Sequence, residues 1–307
     1  MNCPALYAPT RPATSQYVSV RGLAMHVLTW GRPEQATPQR PALVMGHGYM
    51  DVAASFQFFV DALAAQEGDG RYILAPDWRG YGLSQTPPVD HHFFLDHLGD
   101  LDALLDALAL ETPDLLGHSM GGNIVSLYAG VRPTRLRRLV NLEGFGLPRT
   151  DPAKAPDHYA KWLDALKTPQ QLRSYASLDD VAARLRKTNP RLRSDRAQWL
   201  ALQWAERHAD GRWHLRADAA HRRVSAMPYR DDEVQAAWRR ITVPVLWVEG
   251  EDTEFPTWWP GRFDRAEFQR RLADLQHAEQ VRLSGAGHML HHDQPEALAA
   301  HVAAFLA

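Results

Sequence analysis

The sequence predicts an α/β fold, a mostly parallel sheet with helices on both faces, interrupted by a helical insertion. Three observations carry this. Apolar strand-like runs alternate with helix-patterned segments up to residue 142 and again from residue 243, the order expected of a parallel sheet joined by crossover helices. From Pro148 to about Arg240 the alternation stops, and only helix-like segments can be read. Finally, the apolar run Asp114-Leu115-Leu116 passes through Gly117-His118-Ser119-Met120-Gly121-Gly122 into a second apolar run, Asn123 to Gly130. That is strand, sharp turn and helix, with a serine at the turn.

The elements follow in order. Residues 1–14 read as a loose, proline-containing arm. Tyr17 to Val20 and Leu23 to Trp30 flank Arg21-Gly22 and predict a hairpin. Ala42 to Met45 is a short apolar run ending at Gly46-His47-Gly48, which suits a buried strand. Ala53 to Ala65 has helical spacing, and Arg71 to Ala75 predicts a strand. Phe93 to Leu110 predicts a helix with Leu98, Leu101, Leu104, Leu105 and Leu108 on one face and Asp96, Asp100, Asp102 and Asp106 over the rest. Leu136 to Leu142 is a further strand. Inside the insertion, Tyr159 to Leu166, Leu178 to Arg186 and Asp195 to His208 are the best helices. Val243 to Val248 and Glu279 to Leu283 restore the strands, with helices over Phe263 to Leu275 and Pro295 to Leu306. The expected division is a core of residues 1–147 and 241–307 with a helical cap of residues 148–240.

Composition narrows the function classes. A chain of 307 residues with 45% hydrophobic and 23% charged residues is an ordinary globular one, and long enough for one large α/β domain with an insertion. A net charge of −2 gives no general reason to expect a nucleic acid or an anionic membrane as partner. Cys3 is the single cysteine, so no internal disulfide is possible. The first sixteen residues have no continuous apolar core of a signal peptide, and no run of about 18 apolar residues exists, so a cytoplasmic protein is expected. The insertion holds 19 Lys and Arg against 12 Asp and Glu, whereas the rest holds 15 against 24. These opposite charges suit mutual attraction of the two parts, or a basic cap that draws anionic substrates to a site.

Serine is a weak nucleophile near neutral pH unless a base takes its proton. The best base for Ser119 is His288, on the glycine-rich loop Ser284-Gly285-Ala286-Gly287-His288 after the last strand. His291 and His292 read as solvated neighbours, and His91, His92 and His97 as surface residues around a helix start. A carboxylate must orient the imidazole and stabilise its protonated form. Asp252, after the strand Val243 to Val248, and Glu143, after Leu136 to Leu142, both sit at C-terminal strand ends between the serine and the histidine in chain order; Glu251 is a third choice. An oxyanion hole would take the amides of Met120, next after the nucleophile, and of Tyr49, after Gly46-His47-Gly48. His47 reads as structural, its ring bonding loop backbone. No set of His, Cys, Asp and Glu has zinc-site spacing, so no metal and no cofactor are expected.

Taken together, these residues resemble the α/β-hydrolase superfamily over essentially the whole chain. His47-Gly48 is similar to its oxyanion loop, Asp77-Trp78-Arg79-Gly80-Tyr81-Gly82-Leu83-Ser84 to its D-x-R-G-x-G-x-S turn, Gly117 to Gly122 to its nucleophile elbow, and Gly287-His288 to its base loop. The resemblance implies an eight-stranded, mostly parallel sheet with a helical cap after the sixth strand, and structural roles for Asp77 and Arg79. Two departures stand out. Thr253 occupies the slot where the family's acid usually follows the seventh strand, with Asp252 one residue early. Leu142 to Pro148, in turn, looks like the acid segment after the sixth strand of haloalkane dehalogenases. Those enzymes carry an aspartate at the elbow, where this chain has Ser119. Epoxide hydrolases are disfavoured for the same reason, because an alkylated serine would be an ether that water does not release.

The reading is therefore a serine hydrolase of the carboxylesterase kind, acting on a small molecule with an apolar acyl or alcohol group and binding neither nucleic acid nor membrane. Trp162, Trp199, Trp204, Trp213 and Trp238 in the insertion, with Trp258 and Trp259 after the Asp252 loop, are mostly packing residues, one or two of them lining a pocket. Arg222 and Arg223 are candidates for binding a carboxylate. Alternatives on the same residues are cleavage of a carbon–carbon bond, a thioester or a lactone, or a receptor-like protein with little turnover.

Overall fold

The computed structural model describes residues 6–68 and 70–307; Cys3 and the first five residues of the expected arm lie outside them. The expected hairpin forms from β1 (Thr14–Val20) and β2 (Leu23–Trp30), turning at Arg21 and Gly22, both at positive φ as a two-residue primed turn requires. Then β3 (Leu43–Gly46), α1 (Gln57–Glu67), β4 (Ile73–Pro76), α2 (Phe94–Ala107), β5 (Asp114–His118), α3 (Met120–Val131) and β6 (Leu139–Leu142) alternate along the chain. Outside the sheet come α4 (Ala155–Leu166), α5 (Leu178–Thr188), α6 (Ser194–Trp204), the antiparallel pair β7 (Ala205–Arg207) and β8 (Trp213–Leu215), and α7 (Asp231–Trp238). The chain returns through β9 (Val245–Gly250), α8 (Arg265–Leu272), β10 (Ala278–Leu283), the short α9 (Leu290–Asp293) and α10 (Pro295–Leu306).

The main sheet has eight strands in the order β1-β2-β4-β3-β5-β6-β9-β10. It is parallel from β4 to β10, and β2 runs antiparallel to both of its neighbours. Alternating side chains feed two cores. Leu43, Met45, Leu116, Val140, Leu246 and Val248 pack beneath α1 and α10, whereas Val44, Leu115, Leu139, Val245 and Trp247 pack against α2, α3, α7 and α8. Both faces being buried explains why these strands read as unbroken apolar runs rather than as alternation. A third core, Tyr175, Val181, Leu185, Leu192, Leu200 and neighbours, ties α5 and α6 to Phe58 on α1.

Several expectations need correction. The insertion is not free of strands: β7 and β8 form a short ladder, and the helix expected to run to His208 ends at Trp204. The arm is not loose where it is described, since Asp61 accepts bonds from the Tyr7 hydroxyl and from the amides of Thr10 and Arg11. Asp100 is fully buried rather than on a solvated face, because it takes two bonds of 2.5 Å from the Arg79 guanidinium. His91, His92 and His97 are buried, not surface residues. Residues 216–221 fold over them: the Gly82 amide donates to Arg216, the Asp218 amide to Gly80, and the His221 ring stacks on His92 at 3.8 Å. His291 and His292 are likewise buried.

Candidate active site

Ser119 ends the turn between β5 and α3 with φ of 54°, a backbone conformation rarely adopted by residues other than glycine. The residues two positions to either side, Gly117 and Gly121, must be glycines. A Cβ on Gly121 would stand 2.0 Å from the Gly46 carbonyl oxygen, and one on Gly117 would stand 2.3 Å from the Gly121 carbonyl oxygen. The chain packs too tightly there for any side chain, and this closeness lifts the Ser119 hydroxyl above the C-terminal ends of the strands. The Ser119 amide is tied to the Leu142 carbonyl at 2.8 Å.

Although 169 positions separate them, Nε2 of His288 lies 3.0 Å from Oγ of Ser119. Nδ1 of the same ring lies 2.7 Å from Oε2 of Glu143. Of the competing carboxylates, then, the structure brings Glu143 to the ring and not Asp252 or Glu251. Asp252 is exposed and takes a 2.6 Å bond from Arg191, so its candidacy as the acid is corrected. The physical reason lies in the two strand ends. Glu143 directly follows β6 at φ of 57°, which turns its side chain inward beneath the histidine loop. Thr253 fills the slot after β9, and its hydroxyl donates to Oε1 of Glu143 at 2.6 Å, as does the Gly250 amide at the same distance. Three donors thus converge on one carboxylate that is 1% exposed.

Burial pushes the Glu143 carboxyl up from the usual carboxylate range, against the pull of the Thr253 and Gly250 donors. The same burial pushes the His288 imidazole down. With the ring neutral, Nδ1–H donates to Glu143 and the Nε2 lone pair faces the serine hydroxyl, the tautomer that proton removal requires. Trp258 caps the ring edge-on at 4.7 Å.

The Met120 amide is the first of α3 and has no acceptor within the helix, so it stays available beside the hydroxyl. Tyr49 and Met50, the latter at φ of 53°, form the facing loop. That loop is braced by His47, whose Nε2 accepts from the Trp78 amide at 3.0 Å and whose Nδ1–H donates to the Gly48 carbonyl at 2.8 Å, a structural role. Asp77 holds the adjoining turn by accepting from the amides of Ala53 and Leu83. The Tyr49 hydroxyl reaches the His221 carbonyl at 3.3 Å.

Ser119 and His288 open into a cavity of about 750 Å³. Its walls are largely apolar, from Met50, Tyr175, Val181, Leu185, Leu192 and Leu215. Of the tryptophans, Trp204 lines it, and donates to Oδ1 of Asp51 at 3.0 Å, whereas Trp238 is buried against Trp247 and only packs. Arg222 lines it as well, with Arg173, Arg184 and Lys187, while Arg223 turns to the Ala165 carbonyl. Sequence reasoning missed Thr253 as a partner of Glu143 and missed a buried group formed by Asp51, His118 and His291. Only the three-dimensional fold joins these last three, so no local spacing could reveal them.

A family model described as "alpha/beta hydrolase fold" matches residues 41–295. "Serine hydrolase-like protein" of Danio rerio is 26% identical over 276 residues, covering 87% of this chain and 81% of that protein. "Epoxide hydrolase 2" of Siraitia grosvenorii is 31% identical over 147 residues, 48% of this chain; the chain spans 43% of that relative's length. Among solved structures, "Thioesterase Domain From Curacin Biosynthetic Pathway" superposes with a TM-score of 0.81 at 24% identity, over 95% of this chain and 99% of that one. "E-2-(Acetamidomethylene)succinate Hydrolase" does so with 0.73 at 22% identity, over 96% and 99%. At such identities the structural likeness concerns the fold alone.

Proposed function

The chain belongs to the alpha/beta hydrolase fold family, and from that premise we propose a serine hydrolase that cleaves ester-like bonds through an acyl-enzyme on Ser119. The observation that carries this reading is the unbroken chain of contacts from Ser119 through His288 to Glu143. Nε2 of His288 takes the hydroxyl proton as Oγ attacks the substrate carbonyl carbon. The carbonyl oxygen becomes an oxyanion held by the amides of Met120 and Tyr49, and losing one such donor costs about 3 kcal/mol of barrier. His288 then gives its proton to the leaving oxygen. Water, deprotonated by the same nitrogen, releases the acid and restores Ser119. Glu143 keeps the tautomer and stabilises the imidazolium, supported by Thr253 and Gly250.

Epoxide opening, which the names of some relatives suggest, is a poorer fit to this chain. Attack of a carboxylate on an epoxide yields an ester that water cleaves, whereas attack by Ser119 would leave an ether with no route to release. Residues 148–240 are proposed as a cap subdomain that selects the substrate. The apolar walls suit an acyl or alcohol group of small to medium size. Among the described residues, none of Arg173, Arg184, Lys187 and Arg222 makes an ion pair, and these four cations favour a substrate with an anionic end.

Labelling with a fluorophosphonate probe tests the assignment. The wild-type chain is expected to form one adduct and to hydrolyse model esters, and Ser119→Ala to lose both while keeping its circular dichroism and melting point. Ester hydrolysis by Ser119→Ala at a near-normal rate would refute the acyl-enzyme route.

A further inference from the structure

We propose that Asp51, His118 and His291 form a binding site for one divalent transition-metal ion of the zinc type, beside Ser119. The three residues come from the loop after β3, the last position of β5 and the start of α9, and all are buried, at 4%, 2% and 0% exposure. One donor atom from each lies within 4.8 Å of the other two. Among the described residues, Oδ2 of Asp51, Nδ1 of His118 and both ring nitrogens of His291 have no hydrogen-bond partner. A buried polar atom without a partner is destabilising, because it has given up its bonds to water for nothing. Three residues with such atoms, gathered in one place, point to an occupant that satisfies one donor from each.

The donor chemistry says which kind. Two imidazoles and a carboxylate suit zinc, cobalt, nickel or iron(II), whereas magnesium and calcium take all-oxygen shells. The outer contacts orient the donors inward, as those of metal ligands do. His118 donates its Nε2–H to the His288 carbonyl at 2.8 Å, which leaves the lone pair on Nδ1. Asp51 spends Oδ1 on the Val52 amide, the Ser55 hydroxyl and the Trp204 indole, which leaves Oδ2. Gly48 keeps Nδ1 of His118 uncovered, since a Cβ there would stand 3.0 Å from it. Asp51 and His118 also line the cavity, so an ion has a way in from solvent. A tetrahedral zinc site holds its ligand atoms roughly 3.4 Å apart, so the side chains close by about an ångström on binding.

The test reads binding, and so is independent of the role proposed for Ser119. The full chain, stripped with a chelator, is titrated with Co²⁺ and followed by visible ligand-field absorption. One equivalent is expected to bind and to be displaced by Zn²⁺. Asp51→Asn and His291→Gln are each expected to weaken binding at least about tenfold. His214→Ala, which breaks the exposed His208–His214 pair, is expected to leave it unchanged. Absence of the cobalt spectrum, or equal binding by Asp51→Asn and His291→Gln, overturns the proposal. Because either substitution can unfold the core, wild-type crystals soaked in Zn²⁺ give a second measurement. An anomalous peak among the three side chains supports the site; a peak only elsewhere, or a water molecule alone among them, overturns it.

Discussion

The hydroxyl of Thr253 donates to Oε1 of Glu143 at 2.6 Å, while the other oxygen of that carboxylate meets His288 at 2.7 Å. Two strand ends therefore cooperate: the acid directly follows β6, and the last residue of β9 and the loop after it supply the donors that hold it. Glu143→Gln keeps the shape but presents an amide to the ring, which favours the wrong tautomer. A loss in kcat of about 10⁴ is expected, the scale seen when an acid in this position becomes an amide. Asp252→Asn, whose carboxylate only pairs with Arg191 at the surface, should stay within about threefold of wild type. Steady-state ester hydrolysis by the two variants decides between the carboxylates; the reverse order would return the role to Asp252.

Thr253→Val is nearly isosteric but removes a donor from a buried carboxylate. Oε1 keeps the Gly250 amide, so one hydrogen bond to a charged group is lost, worth about 1.5–3 kcal/mol, and denaturant unfolding should show a loss of that size. The kcat should fall by about tenfold with KM little changed, since the loss touches orientation of the ring and not the substrate.

Much of the fold was legible because long apolar runs and glycine-rich turns are local signals. β3, β5, β6 and β9 are buried on both faces and read as continuous apolar segments. Ser119 and His288 were legible because the glycines beside them record crowding. What sequence could not show is contact between distant segments. His92 reads as a solvated residue until Asp218 meets its ring at 2.7 Å. Asp100 reads as one of a row of surface acids until Arg79 reaches it. Asp252 and Glu143 both follow strands, and sequence put Asp252 first; only the fold shows that Glu143, at positive φ, meets His288 while Asp252 pairs with Arg191.

Gly121→Ala tests the crowding at the turn. Its Cβ would meet backbone, the Gly46 carbonyl at 2.0 Å, which cannot rotate away. Destabilisation of about 3 kcal/mol is expected, at the upper end of overpacking costs, read as a lowered melting temperature. A variant that melts within a degree or two of wild type would show that β3 and α3 do not approach so closely.

The pH dependence follows from the direction of the His288 shift. The base must be neutral to accept the serine proton, so activity is lost as pH falls through its pKa. Burial lowers that pKa, so the acidic limb of kcat/KM should lie below the ordinary imidazole value of about 6.5. The profile of ester hydrolysis between acid and neutral pH measures it. An acidic limb above the ordinary value would mean that attraction to Glu143 outweighs burial at the ring.

The cationic mouth of the cavity makes a prediction about substrate charge. Arg184 and Lys187 lie on α5, and both line the cavity with no carboxylate partner among the described residues; Arg184 donates only to the Thr188 hydroxyl. An anionic group bound there gains attraction in both the ground and transition states, so the gain appears in KM rather than in kcat. With an ester carrying a terminal carboxylate, the double variant Arg184→Gln and Lys187→Gln should raise KM about tenfold and leave kcat within twofold. With the uncharged ester of the same length, KM should hardly move. Added salt should reproduce the variant's effect in the wild type, because exposed charges are screened over about 10 Å at 0.1 M ionic strength. Equal changes for both esters would mean that these side chains shape the wall and do not select charge.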